Sequence, residues 1–127
     1  MNLEHIAINV AEPAAMSAWY VENMGMRIVL AAPSAPFMHF ISDEKGSMVE
    51  LYSNPVAPVP DYASMSPFQF HLSFSTSDIA ADHARLLAAG ADSVDEISET
   101  PMGDKLVFVR DPWGVPVQLV QRNKALI

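Results

Sequence analysis

Two stretches of this chain alternate apolar and polar side chains with a period of two, and they match each other. In Leu3–Val10, Ile6, Ile8 and Val10 fall on one side, and Leu3, His5, Ala7 and Asn9 on the other. In Phe68–Ser75, Phe68, Phe70, Leu72 and Phe74 form one side, and Gln69, His71, Ser73 and Ser75 the other. Such alternation predicts strands with a core face and a more polar face. Each of these strands puts a histidine on its polar face. A helical stretch follows each one. The first begins at Glu12-Pro13, where Pro13 suits an opening turn, and stops at Gly25. Its bulky residues Trp19, Tyr20 and Met24 are spaced as an inward stripe. The second begins at Ser77 or Asp78, either of which can cap it. It runs through Ile79, His83, Leu86 and Leu87 and stops at Gly90.

Three further strands are expected after each helix: Arg27–Ala32, Phe37–Ile41 and Ser47–Ser53 in the first half, and Ser93–Ile97, Lys105–Arg110 and Val115–Gln121 in the second. The last strand of each set follows the same phrase. Asp43-Glu-Lys-Gly46 leads to Val49-Glu50-Leu51, and Asp111-Pro-Trp-Gly114 leads to Val117-Gln118-Leu119. Both fit Asp-x-x-Gly-x-x-x-(Glu/Gln)-Leu, a tight turn feeding a strand, so Glu50 and Gln118 hold equivalent places. The order βαβββ thus occurs twice. Module one spans 1–53 and module two 68–127 of a single α+β domain. Between them, 54–67 carries four of the ten prolines, and we expect a semi-extended linker there.

Composition narrows the function. The chain has 127 residues, half of them hydrophobic, enough for a real core. No apolar run reaches the roughly 18 residues of a membrane span. The start, Met1-Asn-Leu-Glu-His5, lacks the basic and apolar regions of a secretory leader. The absence of cysteine removes disulfides and thiolate ligands and is compatible with the cytoplasm. A net charge of −8 would repel phosphate backbones, so nucleic acid is not an expected partner.

The four repeated polar positions carry the candidate chemistry. His5, Glu50, His71 and Gln118 lie on the polar faces of the first and last strands of matching modules. A carboxylate between Val49 and Leu51 is costly to bury without a partner. Two imidazoles, a carboxylate and an amide oxygen suit a divalent first-row metal such as Zn, Ni, Co, Mn or Fe. His39 aligns with Val107 and so lacks a polar twin, and His83 lies within a helix; both are expected to be structural or exposed.

With these residues in hand, the chain resembles the vicinal oxygen chelate superfamily, the glyoxalase, bleomycin-resistance and extradiol-dioxygenase group. The likeness rests on Leu3-Glu-His5-Ile-Ala-Ile, Trp19-Tyr20 with Met24-Gly25-Met26, Val49-Glu50-Leu51, Phe70-His71-Leu-Ser, and Phe108-Val-Arg-Asp-Pro-Trp-Gly114 with Gln118-Leu. It implies two βαβββ modules whose curved mixed sheets form a half-open barrel. It also implies metal ligands at His5, Glu50, His71 and Gln118, and a homodimer that can share modules between chains. The chain is most similar to glyoxalase I-like lyases. Most metal-using relatives carry glutamate at the last ligand position, where this chain has Gln118. With Glu50 as sole anion, a divalent ion would keep a site charge of about +1, suited to an anionic chelating substrate. The expected function is a metal-dependent lyase or isomerase of glyoxalase type. It would act on a small substrate held through two vicinal oxygens, with Glu50 as catalytic base. The alternative is a metal-free drug-binding protein of the bleomycin-resistance type.

Overall fold

A computed structural model describes residues 1–127. The chain separates into two compact units, Met1–Pro60 and Asp61–Ile127. The first contains β1 (Ile6–Asn9), α1 (Pro13–Met24), β2 (Arg27–Ala31), β3 (His39–Ser42) and β4 (Met48–Tyr52). The second contains β5 (Leu72–Ser75), α2 (Ile79–Ala88), β6 (Asp92–Ser93), β7 (Ser98–Glu99), β8 (Lys105–Arg110) and β9 (Pro116–Gln121). This is the expected α+β class, and the βαβββ order recurs. Neither sheet closes on itself: the orders are β1-β4-β3-β2 and β5-β9-β8-β6, with β7 also on β8. In both, the first strand runs parallel to the last, and the remaining pairs are antiparallel. No helix is long and apolar enough to cross a membrane.

The helices form where the sequence indicates. Pro13 opens α1, and Gly25 ends it in a left-handed conformation at φ 67°. Its buried residues are Pro13, Met16, Ser17 and Tyr20, at helical spacing, and it lies against β2, β3 and β4. Trp19, expected in that stripe, is only half-buried, because it sits about 100° around the helix from Tyr20. Asp78, not Ser77, caps α2 by accepting the Ala81 N–H at 3.1 Å. Ile79 and Leu86 are buried from that helix, with Val107, Val109, Val117 and Leu119 from the sheet.

Three expectations need correction, and in each a polar side chain binds the backbone locally. Phe68–His71 is not strand. The Gln69 N–H donates to the Ser66 carbonyl at 2.9 Å, and the Ser66 N–H to Gln69 Oε1 at 2.9 Å, closing a turn. Phe68 is thereby thrown out of the alternation; it is 87% exposed, with its ring against Phe108. The single strand expected over Ser93–Ile97 is broken into β6 and β7. Asp95 Oδ1 takes the Phe108 N–H at 2.7 Å, a donor that a continuous strand would have used. The stretch after Pro60 is not uniformly extended: Tyr62–Ser64 forms a 3-10 turn capped by Asp61, and Tyr62 is buried. Arg110 holds that turn, donating to the carbonyls of Tyr62 and Met65 at 2.8 Å each.

The turns before β4 and β9 repeat atom for atom. Asp43 Oδ1 accepts the Lys45 and Ser47 N–H groups at 2.9 and 2.8 Å, and Asp111 Oδ1 accepts those of Trp113 and Val115 at 2.9 Å each. Gly46 and Gly114 complete the turns at φ 92° and 85°. They differ in surroundings. A Cβ on Gly46 would meet nothing within 4 Å, whereas one on Gly114 would lie 2.9 Å from the Ala63 side chain and 3.0 Å from its backbone nitrogen. Gly46→Ala should therefore cost only the left-handed backbone penalty, about 1–2 kcal/mol. Gly114→Ala adds a backbone clash and should cost about 3 kcal/mol or more. Urea denaturation of both variants checks this, and equal losses would contradict the packing of Ala63 on the turn.

Candidate functional site

In module one the sheet register assembles the site. Ala7 pairs with Glu50 across β1 and β4, and Phe40 pairs with Glu50 across β3 and β4. His5 lies two residues before Ala7 and so on the same face. Its Nε2 is 3.3 Å from Glu50 Oε2. The other ring nitrogen, Nδ1, contacts the Glu4 carboxylate. The Phe40 ring stands edge-on to the imidazole, 5.2 Å between centroids. The Glu50 side chain is 13% exposed. The Glu4 hydrogen bond is the largest influence on His5 and raises its pKa above the ordinary 6.5; burial, the next largest, opposes it, and the charges of Glu4 and Glu50 add to the rise.

Module two repeats the arrangement with neutral groups. Ser73 and Phe108 both pair with Gln118. His71 Nδ1 lies 2.7 Å from the Pro67 carbonyl, which makes it the protonated nitrogen and leaves Nε2 with a lone pair. Phe108 stands edge-on to His71 at 5.2 Å, as Phe40 does to His5. Gln118 Oε1 accepts the Ser73 hydroxyl at 3.0 Å. His39 is buried, with Nδ1 2.7 Å from the Phe37 carbonyl, and His83 Nε2 lies 3.2 Å from Ser93 Oγ, so both histidines serve locally.

Sequence reasoning found the His–Glu pair but missed the two phenylalanines and Ser73. A signal for the rings was present: Phe-x-x-Asp-x-x-Gly occurs at both Phe40 and Phe108. Ser73 was visible only as a member of the polar face.

The donors of module one fit a divalent ion. Ligand atoms about 2.1 Å from a common metal lie about 3.0–3.4 Å apart in octahedral or tetrahedral geometry, and His5 Nε2 and Glu50 Oε2 are 3.3 Å apart. A carboxylate on the remote nitrogen commonly orients an imidazole that binds a metal through the other. Neither module alone brings together three His, Cys, Asp or Glu side chains as a ligand group.

A model of the Glyoxalase/Bleomycin resistance protein/Dioxygenase superfamily matches residues 2–119. The chain belongs to this superfamily. A search of curated proteins found no significant match. Solved structures agree on the superfamily's fold. A glyoxalase family protein from Bacillus cereus is 18% identical, with a TM-score of 0.79 over 95% of this chain and 93% of its own. TnmS3, an antibiotic binding protein from Streptomyces sp. CB03234, is 20% identical, with a TM-score of 0.71 over 97% of each chain. TioX from Micromonospora sp. ML1 is 21% identical, with a TM-score of 0.67 over 99% of this chain and 100% of its own. At these identities the likeness is one of fold. Within the superfamily, then, the chemistry of this chain has to be argued from its own side chains.

The paired carboxylates make a direct prediction for His5. Its pKa should lie above that of an ordinary imidazole in metal-free protein. Removing the largest contributor, by Glu4→Gln, should lower that pKa more than Glu50→Gln does. Imidazole nitrogen shifts followed by NMR across a pH titration check the order. A His5 titration unmoved by either substitution would contradict the geometry.

Proposed function

We propose that this protein is a metal-dependent lyase or isomerase of glyoxalase type, acting on a small substrate chelated through two vicinal oxygens. The observation that carries the reading is the 3.3 Å approach of His5 Nε2 to Glu50 Oε2 on one sheet face. The reading takes His5, Glu50, His71 and Gln118 as the ligands, with His71 and Gln118 supplied by the same chain or by a second copy. The Nε2 lone pair of His71 supports this, since its Nδ1 is already committed to Pro67. A divalent ion of the Zn, Ni, Co, Mn or Fe type, when bound, would supply Lewis-acid polarisation of a substrate carbonyl.

The remaining work falls to the chain itself. Glu50 is the base: it accepts the proton from the carbon next to the carbonyl and returns it to the neighbouring position. Glu4 holds the His5 ring in orientation through Nδ1. Gln118 cannot take a proton near neutral pH, so it orients through its amide while Ser73 fixes its oxygen. The metal-free binder remains the second reading. It is favoured by that same Ser73 hydrogen bond, which satisfies Gln118 Oε1 without an ion. The likeness to TnmS3 extends to fold alone. The proposal also takes the protein to be a cytoplasmic homodimer, because β1 and β2 end their sheet with open edges that a partner can cover.

The test begins with elemental analysis of protein purified without added metal or affinity tag. About one first-row ion per chain is expected, and light scattering on the same sample should give twice the 13.9 kDa chain mass. Screening 2-oxoaldehyde thiol adducts and 2-substituted acyl thioesters then supplies a substrate. Glu50→Gln should lower turnover about 10²–10⁴-fold, the usual worth of a general base. Full turnover in Glu50→Gln would exclude Glu50 as the base. Failure to take up Mn, Fe, Co, Ni or Zn would leave the binder as the better reading, and a monomer mass at micromolar concentrations would refute the dimer.

A further inference from the structure

The face of the module-one sheet that carries Glu50 has a second feature. Beside the His5–Glu50 pair is an open hollow of about 210 Å³, lined by Glu4, Val29, Leu30, Phe40 and Met48. The register puts it on the same face as the pair. Leu30 pairs with Phe40, Phe40 pairs with Glu50, and Met48 lies two residues before Glu50 on β4. Phe40 therefore borders both the hollow and the His5 ring. Four of the five lining residues are apolar. Val29 and Leu30, on the edge strand, are 49% and 53% exposed, so they contribute surface rather than core.

We propose that this hollow receives an apolar substituent of the bound molecule, uncharged or cationic at its outer end, and disfavours anionic tails such as those of glutathione or nucleotide thioesters. Size and charge both point this way. A cavity of about 150 Å³ lined by aliphatic and aromatic side chains holds a benzene, so this hollow accommodates a phenyl ring or a branched alkyl group of similar bulk. Met48 is a lining residue that adapts to irregular shapes. The charged group at the hollow is a carboxylate, Glu4, which also contacts His5 Nδ1. Met1–Pro60 carries six acidic side chains against two basic ones, Arg27 and Lys45, and neither basic residue lines the hollow. In assigning the hollow to the substituent of a chelated substrate, the inference rests on the function proposed above; the recognition itself does not need the metal.

The test uses full-length metal-free protein labelled at the methionine methyls, with the Met48 resonance assigned from its loss in Met48→Leu. Benzyl alcohol, benzyltrimethylammonium and benzoate are titrated in turn. The first two should shift the Met48 methyl saturably and leave the exposed Met1 and Met102 unmoved. Benzoate should bind about fivefold more weakly, the factor for one unit charge about 4 Å away in water. Glu4→Gln should remove that handicap, and Leu30→Ser, at an exposed position that leaves the core intact, should weaken all three probes. Benzoate binding as well as benzyl alcohol, or shifts spread unsaturably over every methyl, would overturn the proposal. So would a Met48 shift on dilution without any probe, since a second copy of the chain would then cover the hollow. Probe binding in protein that takes up no metal would uphold the hollow and sink the lyase, whereas metal uptake with no Met48 response would do the reverse.

Discussion

The two aspartate turns, at Asp43 and Asp111, decide what this protein presents on its sheets. Each carboxylate binds two backbone N–H groups, and the N–H of each aspartate returns to the carbonyl four residues on, at 3.1 and 3.0 Å. That geometry sets the register in which β4 and β9 leave the turn. A strand has a period of two, so a slip of one residue would exchange Glu50 for Val49 and Gln118 for Val117. The turn carboxylate is thus what faces the ligand-type side chains the same way in both modules. In module two the constraint reaches further. Asp111 is 2% exposed, and Arg110, beside it, holds the Tyr62–Ser64 turn, with Ala63 packed on Gly114. Removing the Asp111 carboxylate would orphan N–H groups in a site too tight for water to replace it.

The two modules then use the same positions with different electrostatics. Ala7 stands opposite Glu50, and Ser73 opposite Gln118. The serine hydroxyl satisfies the amide oxygen of Gln118, so this uncharged side chain has its partner within module two. Alanine offers Glu50 nothing, and a mostly buried carboxylate needs a positive partner. His5 Nε2, 3.3 Å away, is the nearest cationic partner available to it, and Glu4 first and Glu50 after it raise the His5 pKa. On the proposed reading His5 and Glu50 would help hold a divalent ion, and its binding would then compete with protons for these groups. On the proposed reading the asymmetry would place the base in module one, since Glu50 can take a proton and Gln118 cannot.

How much of this was legible in the sequence follows from which forces act locally. Alternation placed Glu50 and Gln118 on the faces they occupy because side-chain facing in a strand is a property of the backbone itself, whereas His5 and His71 lie one residue outside β1 and β5. It failed at Phe68, where Ser66 and Gln69 close a turn with their side chains, and at Ser93–Ile97, where Asp95 captures the Phe108 N–H. Polar side chains that compete with the ladder leave the apolar pattern intact while removing the strand. The hollow was illegible for another reason. Nothing in the pattern around Val29, Leu30, Phe40 and Met48 marks a hollow, and only the strand order reveals that β2 is an edge with its aliphatic side chains uncovered.

Strand order also separates the two halves of the proposed site. The His5–Glu50 pair depends on β1 and β4, which are hydrogen-bonded directly to each other, and on the turn that sets the β4 register. The outer wall of the hollow depends on β2, bonded to β3 alone, with a bulge between Ile28 and Leu30. A bulged edge strand can change its side chains, and even its local path, without shifting the register of strands two places away. Met48 and Phe40 bridge the halves, being on β4 and β3 and touching the hollow. Substitutions on β2 can therefore reshape the hollow while His5 and Glu50 stay where β1, β4 and the Asp43 turn put them. A superfamily fold that appears in both glyoxalase family proteins and an antibiotic binding protein is built to allow that separation.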